Sequence, residues 1–371
     1  MQNTAFPVYE LLIGSAAFGD RARADIAAAK HRVLIQAMTF EGDAAGHGVA
    51  AALTSSAAAS RCVLVDDYTR HVVNDTILAL SRDQAVHAEA RATRAMFAAL
   101  VRDGVKVRVT NPVGYNPLRY PLRNHKKLLV MDGVAWIGGI NFSDHNFAWH
   151  DLMLRVDDPA VADWLAEQFD RDWAGTPEAA QQRFGPDLEL LSIDGRDNLV
   201  HLAPLLDRIA GARHSVEMIS AYATFPFVDA LAAAARRGVA ATLYTPRPNN
   251  KPIVRDYLLG VSRETGLSVQ LMPEMTHTKA LLIDGEELVL GSCNFEFVSC
   301  RSNAEFLATI RDGGLIADFE ARILAPARTD SAAPVQEEFS LWRSRRARAV
   351  LKLADGALAR LSHGRRVQNW R

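Results

Sequence analysis

One pattern in this chain occurs twice. His125–Asn141 (HKKLLVMDGVAWIGGIN) and His277–Asn294 (HTKALLIDGEELVLGSCN) both read H-x-K-x-x-x-x-D, an apolar strand, a Gly-Gly or Gly-Ser pair, one residue, then Asn. The His, Lys and Asp positions recur at a spacing of 152 residues and the asparagines at 153. An acid follows each copy, Asp151 after the first and Glu305 after the second. A lone H-x-K-x-x-x-x-D arises by chance in about one chain in twenty of this length. Two copies with matching glycine, asparagine and acidic tails do not. The chain is a duplication, and it has to fold as two similar halves.

The flanking sequence agrees. Apolar β-rich runs alternate with Ala-rich helical stretches, the pattern of an α/β architecture. RAMFAALVRDGVKVRVTNP reads as helix, Gly104 stop, strand; FVDALAAAARRGVAATLYTP repeats that order around Gly238. Between the two series, Gly175–Pro186 has the polar, Gly/Pro-punctuated look of a linker. The expectation is two similar α/β/α sandwich halves with mixed, largely parallel sheets, related by a pseudo-two-fold axis. Residues 1–185 would hold the first motif, 186–330 the second, and 331–371 a basic amphipathic tail.

Composition narrows the class. With 42 basic and 43 acidic residues, 49% apolar and 23% charged, this is the balance of a globular protein. It excludes a disordered chain, a collagen and a wholly basic nucleic-acid coat. The best membrane-spanning candidates, around 128–142 and 226–243, are interrupted by Asp132 and by Arg236–Arg237. The start, MQNTAFPVYELLIG, lacks the basic opening and apolar core of a signal peptide. Cys62, Cys293 and Cys300 are too few and too odd for a disulfide framework, which fits a reducing cytoplasm.

The repeated residues suit phosphodiester chemistry. Such a catalyst neutralises phosphoryl oxygens, supplies a nucleophile and protonates a departing alkoxide. Residues i and i+2 of a strand share a face, so His125 projects with Lys127 and His277 with Lys279. Bringing the halves face to face surrounds one pocket with two imidazoles, two ammonium groups and the amides of Asn141 and Asn294. Lys127, Lys279, Asn141 and Asn294 are the expected phosphate ligands, and the lysines leave no need for a metal or other cofactor. The histidines are expected to differ in protonation, one neutral to attack and one charged to act as acid. Asp151 and Glu305 suit acceptance of the Nδ1 hydrogen, fixing the tautomer that aims Nε2 at phosphorus. Asp132 and Asp284 lie five residues beyond their lysines and precede glycine, so a turn or structural ion pair is expected there. The pairs containing Gly139 and Ser292 mark close approach of backbone to the pocket. His145 and His150, near Asp144 and Asp151, have no second ligand pair at metal spacing. Asp66-Asp67 reads as a cap on the next helix.

The chain resembles the phospholipase D superfamily, whose hallmark is this duplicated motif, and within it the bacterial cardiolipin synthases. RNHKKLLVMDGVAWIGGINFSDHN, WHDLMLRV and HTKALLIDGEELVLGSCNFEFVSCRSNAEF carry the resemblance, together with EGDAAG from Glu41 and the Arg-rich region around Trp342. The stretch from Tyr68 to about Ala92 departs from the pattern. The resemblance implies that His125 attacks to form a phosphohistidine, while His277 protonates the leaving alcohol and then deprotonates the acceptor. It implies a phosphatidyltransferase or phospholipase D, with cardiolipin made from phosphatidylglycerol and a second lipid. The alternative is a nuclease or other phosphodiesterase of the same superfamily, and a third reading, a non-catalytic scaffold, conflicts with the intact motif set.

Charge bears on partners. Trp342–Arg371 holds nine Lys/Arg and one acid, Asp355, leaving the preceding 341 residues at −9. That acidic body argues against nucleic acid. In the tail, apolar positions 350, 353, 354, 357, 358 and 361 share one helical face among basic residues, with Trp342 and Trp370 near the ends. Two readings stay open: a helix lying on an anionic membrane surface, or a terminal helix docked on the body. The first places the protein in the bacterial cytoplasm, peripherally associated with the inner face of the membrane. Oligomeric state is not legible.

Overall fold

The computed structural model describes residues 8–113, 120–360 and 367–370. Two eight-stranded sheets dominate it. The first runs, in spatial order, Val8–Ile13, Leu152–Asp157, Val134–Gly138, Leu128–Met131, Arg32–Ala37, Ser60–Asp66, Lys106–Thr110 and Val367–Asn369. The second runs Ala180–Phe184, Leu188–Asp194, Ala304–Ile310, Glu287–Gly291, Ala280–Ile283, Ser215–Ile219, Ala240–Pro246 and Ser268–Met272. Without Val367–Asn369 in one and Ala180–Phe184 in the other, the two orders correspond strand for strand. The two-half α/β reading therefore holds.

The sheets are mixed, but parallel pairing is confined to one end of each. Arg32–Ala37, Ser60–Asp66 and Lys106–Thr110 run parallel, as do Ser215–Ile219, Ala240–Pro246 and Ser268–Met272. The remaining pairs are antiparallel, which corrects the expectation of largely parallel sheets. Helix–strand alternation announces the parallel trios, where a helix carries the chain back over the sheet. After the motif lysine the chain returns through a tight turn instead. Asp132 and Asp284 sit in those turns at φ 50° and 53°, a region asparagine and aspartate tolerate better than most residues. Each carboxylate accepts three successive backbone N–H groups: Lys30, His31 and Arg32 for Asp132, and Arg213, His214 and Ser215 for Asp284. These bonds tie each motif hairpin to the start of the neighbouring strand.

The supposed linker is partly strand: Ala180–Phe184 pairs antiparallel with Leu188–Asp194 in the second sheet. Ala180–Phe184 therefore belongs to the second sheet. One apolar core spans both halves. Leu128, Val130 and Leu154 of the first sheet pack in the same cluster as Leu282, Leu290 and Phe306 of the second. Leu129 and Met131, one residue out of phase, face the first half's own core. Burial on both faces is why these strands read as continuous apolar runs.

The C-terminal helix starts earlier than its apolar stripe suggested, at Leu341, and ends at Leu358. It packs on the helix Pro252–Thr265. Ser344, Ala347, Leu351 and Leu358 are buried, while Val350 and Leu353 face outward. The docked reading is therefore the one found, on a face offset from the expected stripe. Salt bridges Arg348–Glu264 (2.6 Å) and Arg301–Asp355 (2.6 Å) flank the seam. Trp370 lies away from this helix, its ring 4.3 Å from that of Phe97 in the first half. Position 361 lies outside the described residues.

Candidate active site

Short backbone bridges stitch each motif to the other half. Asn124 pairs parallel with Ala304, and His150 with Thr276. His125 N–H donates to Ala304 O (2.9 Å), and His277 N–H to His150 O (2.7 Å). This register sets each histidine beside the acid that follows the bridged residue in the opposite half. His125 Nδ1 lies 2.9 Å from Glu305 Oε2, and His277 Nδ1 lies 2.7 Å from Asp151 Oδ2. Both pairs are buried.

The acids are seated differently. Glu305 accepts hydroxyl hydrogen bonds from Ser292 (2.5 Å) and Ser299 (2.8 Å) as well as its imidazole partner. Asp151 accepts the Leu152 backbone N–H (2.8 Å) and lies against Gly139, where a β-carbon would stand 2.4 Å from Oδ1. Ser292 thus grips its acid where Gly139 makes room for one. Lys279 Nζ lies 3.7 Å from Asp151 Oδ2 and donates to His277 O. Lys127 Nζ donates to His125 O at 2.8 Å. Between them in sequence, Lys126 points the other way, to Asp172 (3.0 Å) and the Phe306 ring (4.7 Å).

Burial, reinforced by the neighbouring lysines, pushes both imidazoles below their ordinary 6.5, His125 to about 4 and His277 to about 3, against the opposing pull of their acids. Both shifts run the same way, because both rings sit in the same buried, lysine-lined setting. Burial also lowers Lys127 to about 7 and Lys279 to about 8. Burial alone would raise the carboxyls; His125 and Lys127 bring Glu305 down to about 2, and Lys279 and His277 hold Asp151 below the usual range.

The asparagines differ from each other. Asn141 Oδ1 accepts Thr39 N–H (3.3 Å). Asn294 Nδ2 donates to Glu296 (2.9 Å), and its Oδ1 is buried with no partner among the described residues. His145 and His150 engage single acids, Asp75 and Glu274, rather than a shared ligand set. Asp66 accepts Tyr68 N–H at the turn but also pairs with Arg123 (2.6 Å) and takes Asn124 N–H (2.7 Å). It thereby anchors the residues that lead into His125, a role the sequence did not disclose. Trp149 and Tyr222 also went unread; their rings lie 5.6 and 6.0 Å from that of His277.

The family described as "Cardiolipin synthase, PLD-like domain" matches residues 23–173 and 205–325, one stretch in each half. The chain belongs to this phospholipase D-like family. Cardiolipin synthase A of Serratia proteamaculans (strain 568) is 26% identical over 229 residues, covering 54% of this chain and 47% of that protein. Its counterpart from Yersinia pseudotuberculosis serotype O:1b (strain IP 31758) is 27% identical over 229 residues, with the same shares. The chain spans about half the length of the curated relatives it matches. Among solved structures, phosphatidylserine synthase of Haemophilus influenzae Rd KW20 superposes with a TM-score of 0.72, covering 95% of this chain and 94% of that one at 14% identity. Polyphosphate kinase of Porphyromonas gingivalis gives 0.62 over 94% of this chain and 53% of its own, also at 14% identity. At such identity these likenesses concern the fold of the phospholipase D-like family alone.

Proposed function

We propose that this chain is a phospholipase D-type phosphatidyltransferase that makes cardiolipin from phosphatidylglycerol and a second lipid. The observation that carries the reading is the pair of imidazole–carboxylate bonds, each crossing between halves, that flank two buried lysines. Lys127 and Lys279 bind the phosphoryl oxygens. Glu305 holds the Nδ1 hydrogen of neutral His125, so Nε2 presents its lone pair to phosphorus. A P–N bond forms as the P–O bond to the leaving alcohol breaks, and that oxygen takes a proton from His277. The acceptor hydroxyl then gives its proton to His277, its oxygen bonds phosphorus, and the P–N bond breaks to restore His125.

The proton on His277 has an electrostatic origin in this scheme. An arriving phosphodiester adds one negative charge to the buried site. That charge raises the proton affinity of His277 from its low resting value. The acid is armed by its own substrate.

The outward face of Leu341–Leu358 supports attachment to an anionic membrane surface. Trp342 and Leu353 are 66% and 75% exposed, and Arg345, Arg346 and Arg360 stand exposed around them. Each basic side chain near such a surface adds about 1 kcal/mol. No helix among the described residues is long and apolar enough to cross a membrane. Peripheral attachment to the inner face of the bacterial membrane is the arrangement proposed.

Incubating the full chain separately with phosphatidylglycerol vesicles, phosphatidylethanolamine vesicles and DNA tests the assignment. Cardiolipin and free glycerol from the first are expected. DNA fragments with no lipid product would overturn the reading in favour of a nuclease.

A further inference from the structure

The stretch 68–92 contains a small hairpin whose strands Val72–Val73 and Thr76–Ile77 enclose a two-residue turn, Asn74–Asp75. Both turn residues have positive φ, 48° and 57°, as the tightest hairpin turn requires and as Asn and Asp tolerate. Buried Val72 and Val73 root the hairpin in the first half. Its tip is held from within that half by Glu41, which accepts Asn74 N–H (3.3 Å), and by Glu89, which accepts Asn74 Nδ2 (2.8 Å).

Asp75 then reaches across to the second half. Its Oδ2 accepts Asn250 Nδ2 at 2.9 Å and stands 3.8 Å from His145 Nε2. Two routes lead from there to His277. Asn250 Oδ1 accepts the Tyr222 hydroxyl (2.8 Å), and the Tyr222 ring lies 6.0 Å from that of His277. On the other side, the His145 ring meets Trp149 at 4.9 Å, and Trp149 lies 5.6 Å from His277. Asp75 is thus placed one layer of rings out from the imidazole that receives the acceptor's proton. Its side chain is 48% exposed, and Oδ1 has no hydrogen-bond donor among the described residues.

We propose that Asp75 is the specificity residue for the acceptor, taking a hydrogen bond from a second hydroxyl of a polyol head while the reacting hydroxyl stands at His277. This deepens the transfer reading above and rests on it. The acceptor's reacting O–H loses its proton to His277, its oxygen bonds phosphorus, and the phosphorus–nitrogen bond to His125 breaks. The second hydroxyl stays intact and donates to Asp75 Oδ1. A neutral hydroxyl suits this carboxylate better than an ammonium group, because Lys251, whose Nζ lies 3.9 Å from the Tyr222 ring, already supplies positive charge to it.

The test uses the full chain with phosphatidylglycerol vesicles and three isotopically labelled acceptors: glycerol, ethanol and ethanolamine. Asp75→Gly removes the carboxylate while keeping the positive-φ turn accessible, and Asp75→Asn keeps a weaker acceptor. The glycerol-to-ethanol product ratio is expected to fall about tenfold in Asp75→Gly and by less in Asp75→Asn. Labelled glycerol and ethanol products falling in parallel would overturn the proposal and leave Asp75 a structural strut. Preference of the unaltered chain for ethanolamine over glycerol would also overturn it. Absence of transfer to all three acceptors would instead sink the phosphatidyltransferase reading, and this proposal with it.

Discussion

Glu305, in the second half, bonds the imidazole of His125, in the first, while Asp151 returns the same service to His277. Each motif histidine is held by an acid of the opposite half. The cause is the register of the bridges at Asn124–Ala304 and His150–Thr276, which carry each motif alongside the other half's acid-bearing segment. A half folded alone would present an imidazole with no partner for Nδ1.

Removing either acid's charge therefore acts across the halves. Glu305→Gln is expected to slow the formation of the covalent adduct by about 10²- to 10⁴-fold, since the ring loses the group that fixes its tautomer. Asp151→Asn should slow the step that needs a protonated leaving group by a similar factor. A phosphodiester substrate with a leaving group that needs no protonation should rescue Asp151→Asn far more than Glu305→Gln. Equal rescue of both would contradict the roles assigned to the two histidines.

Gly139 and Ser292 occupy matching positions with opposite demands. In Gly139→Ala the new β-carbon falls 2.4 and 2.6 Å from the Asp151 oxygens, so the carboxylate must leave His277. Activity is expected to fall by at least about 100-fold with the fold intact by circular dichroism. Ser292→Ala loses one hydrogen bond to Glu305, a change of about 1 to 2 kcal/mol that amounts to roughly tenfold in rate. Wild-type rates in Gly139→Ala would refute the seating of Asp151.

Acid should weaken the folded chain in two overlapping ranges. With burial and the lysines against it, His125 titrates at about 4 instead of 6.5, so between those values the unfolded chain binds more protons and stability falls as pH drops. Glu305, at about 2 instead of 4.5, contributes stability above 4.5 that is lost as pH falls toward 2. Both signs agree. The urea midpoint should decline from about pH 6.5 downward, with a shallower decline in His125→Asn. A midpoint unchanged between pH 6.5 and 4 would contradict the buried neutral imidazole.

The outward face of the C-terminal helix is separable from its docked face. Trp342→Glu with Leu353→Glu leaves Ala347 and Leu351 in place, so the fold should persist. Binding to vesicles containing phosphatidylglycerol should drop at least about tenfold in a sedimentation assay and weaken with salt. Undiminished binding would place the membrane contact elsewhere. Deleting the helix is the poorer test, since it would uncover the core beneath Leu351 and Leu358.

The duplicated motif was legible because a strand's two-residue period makes His-x-Lys a statement about geometry. Asp151 and Glu305 were legible as acids beside the motif, but their exchange between halves was not, since it depends on contacts between residues 180 and 126 positions apart. Parallel sheets were overread because helices announce the parallel trios, whereas the turns at Asp132 and Asp284 announce antiparallel return only once their φ values are known. The C-terminal helix carries two apolar stripes, and periodicity alone does not say which one docks; Ser344, a small residue lying against Gly260, and buried Ala347 belong to the docked one. Asp75 left no signal at all. A two-residue turn acquires meaning only when the second half arrives beside it.

In the proposed mechanism His125 takes the phosphoryl group while His277 moves the proton. Acid-quenched mixtures of the full chain with phosphatidylglycerol, analysed by mass spectrometry of the peptide containing residue 125, test it most directly. A phosphoryl-lipid adduct on His125 is predicted in the unaltered chain and in His277→Asn given a substrate with a good leaving group, and none in His125→Asn. An adduct on His277 that survives His125→Asn would contradict the account.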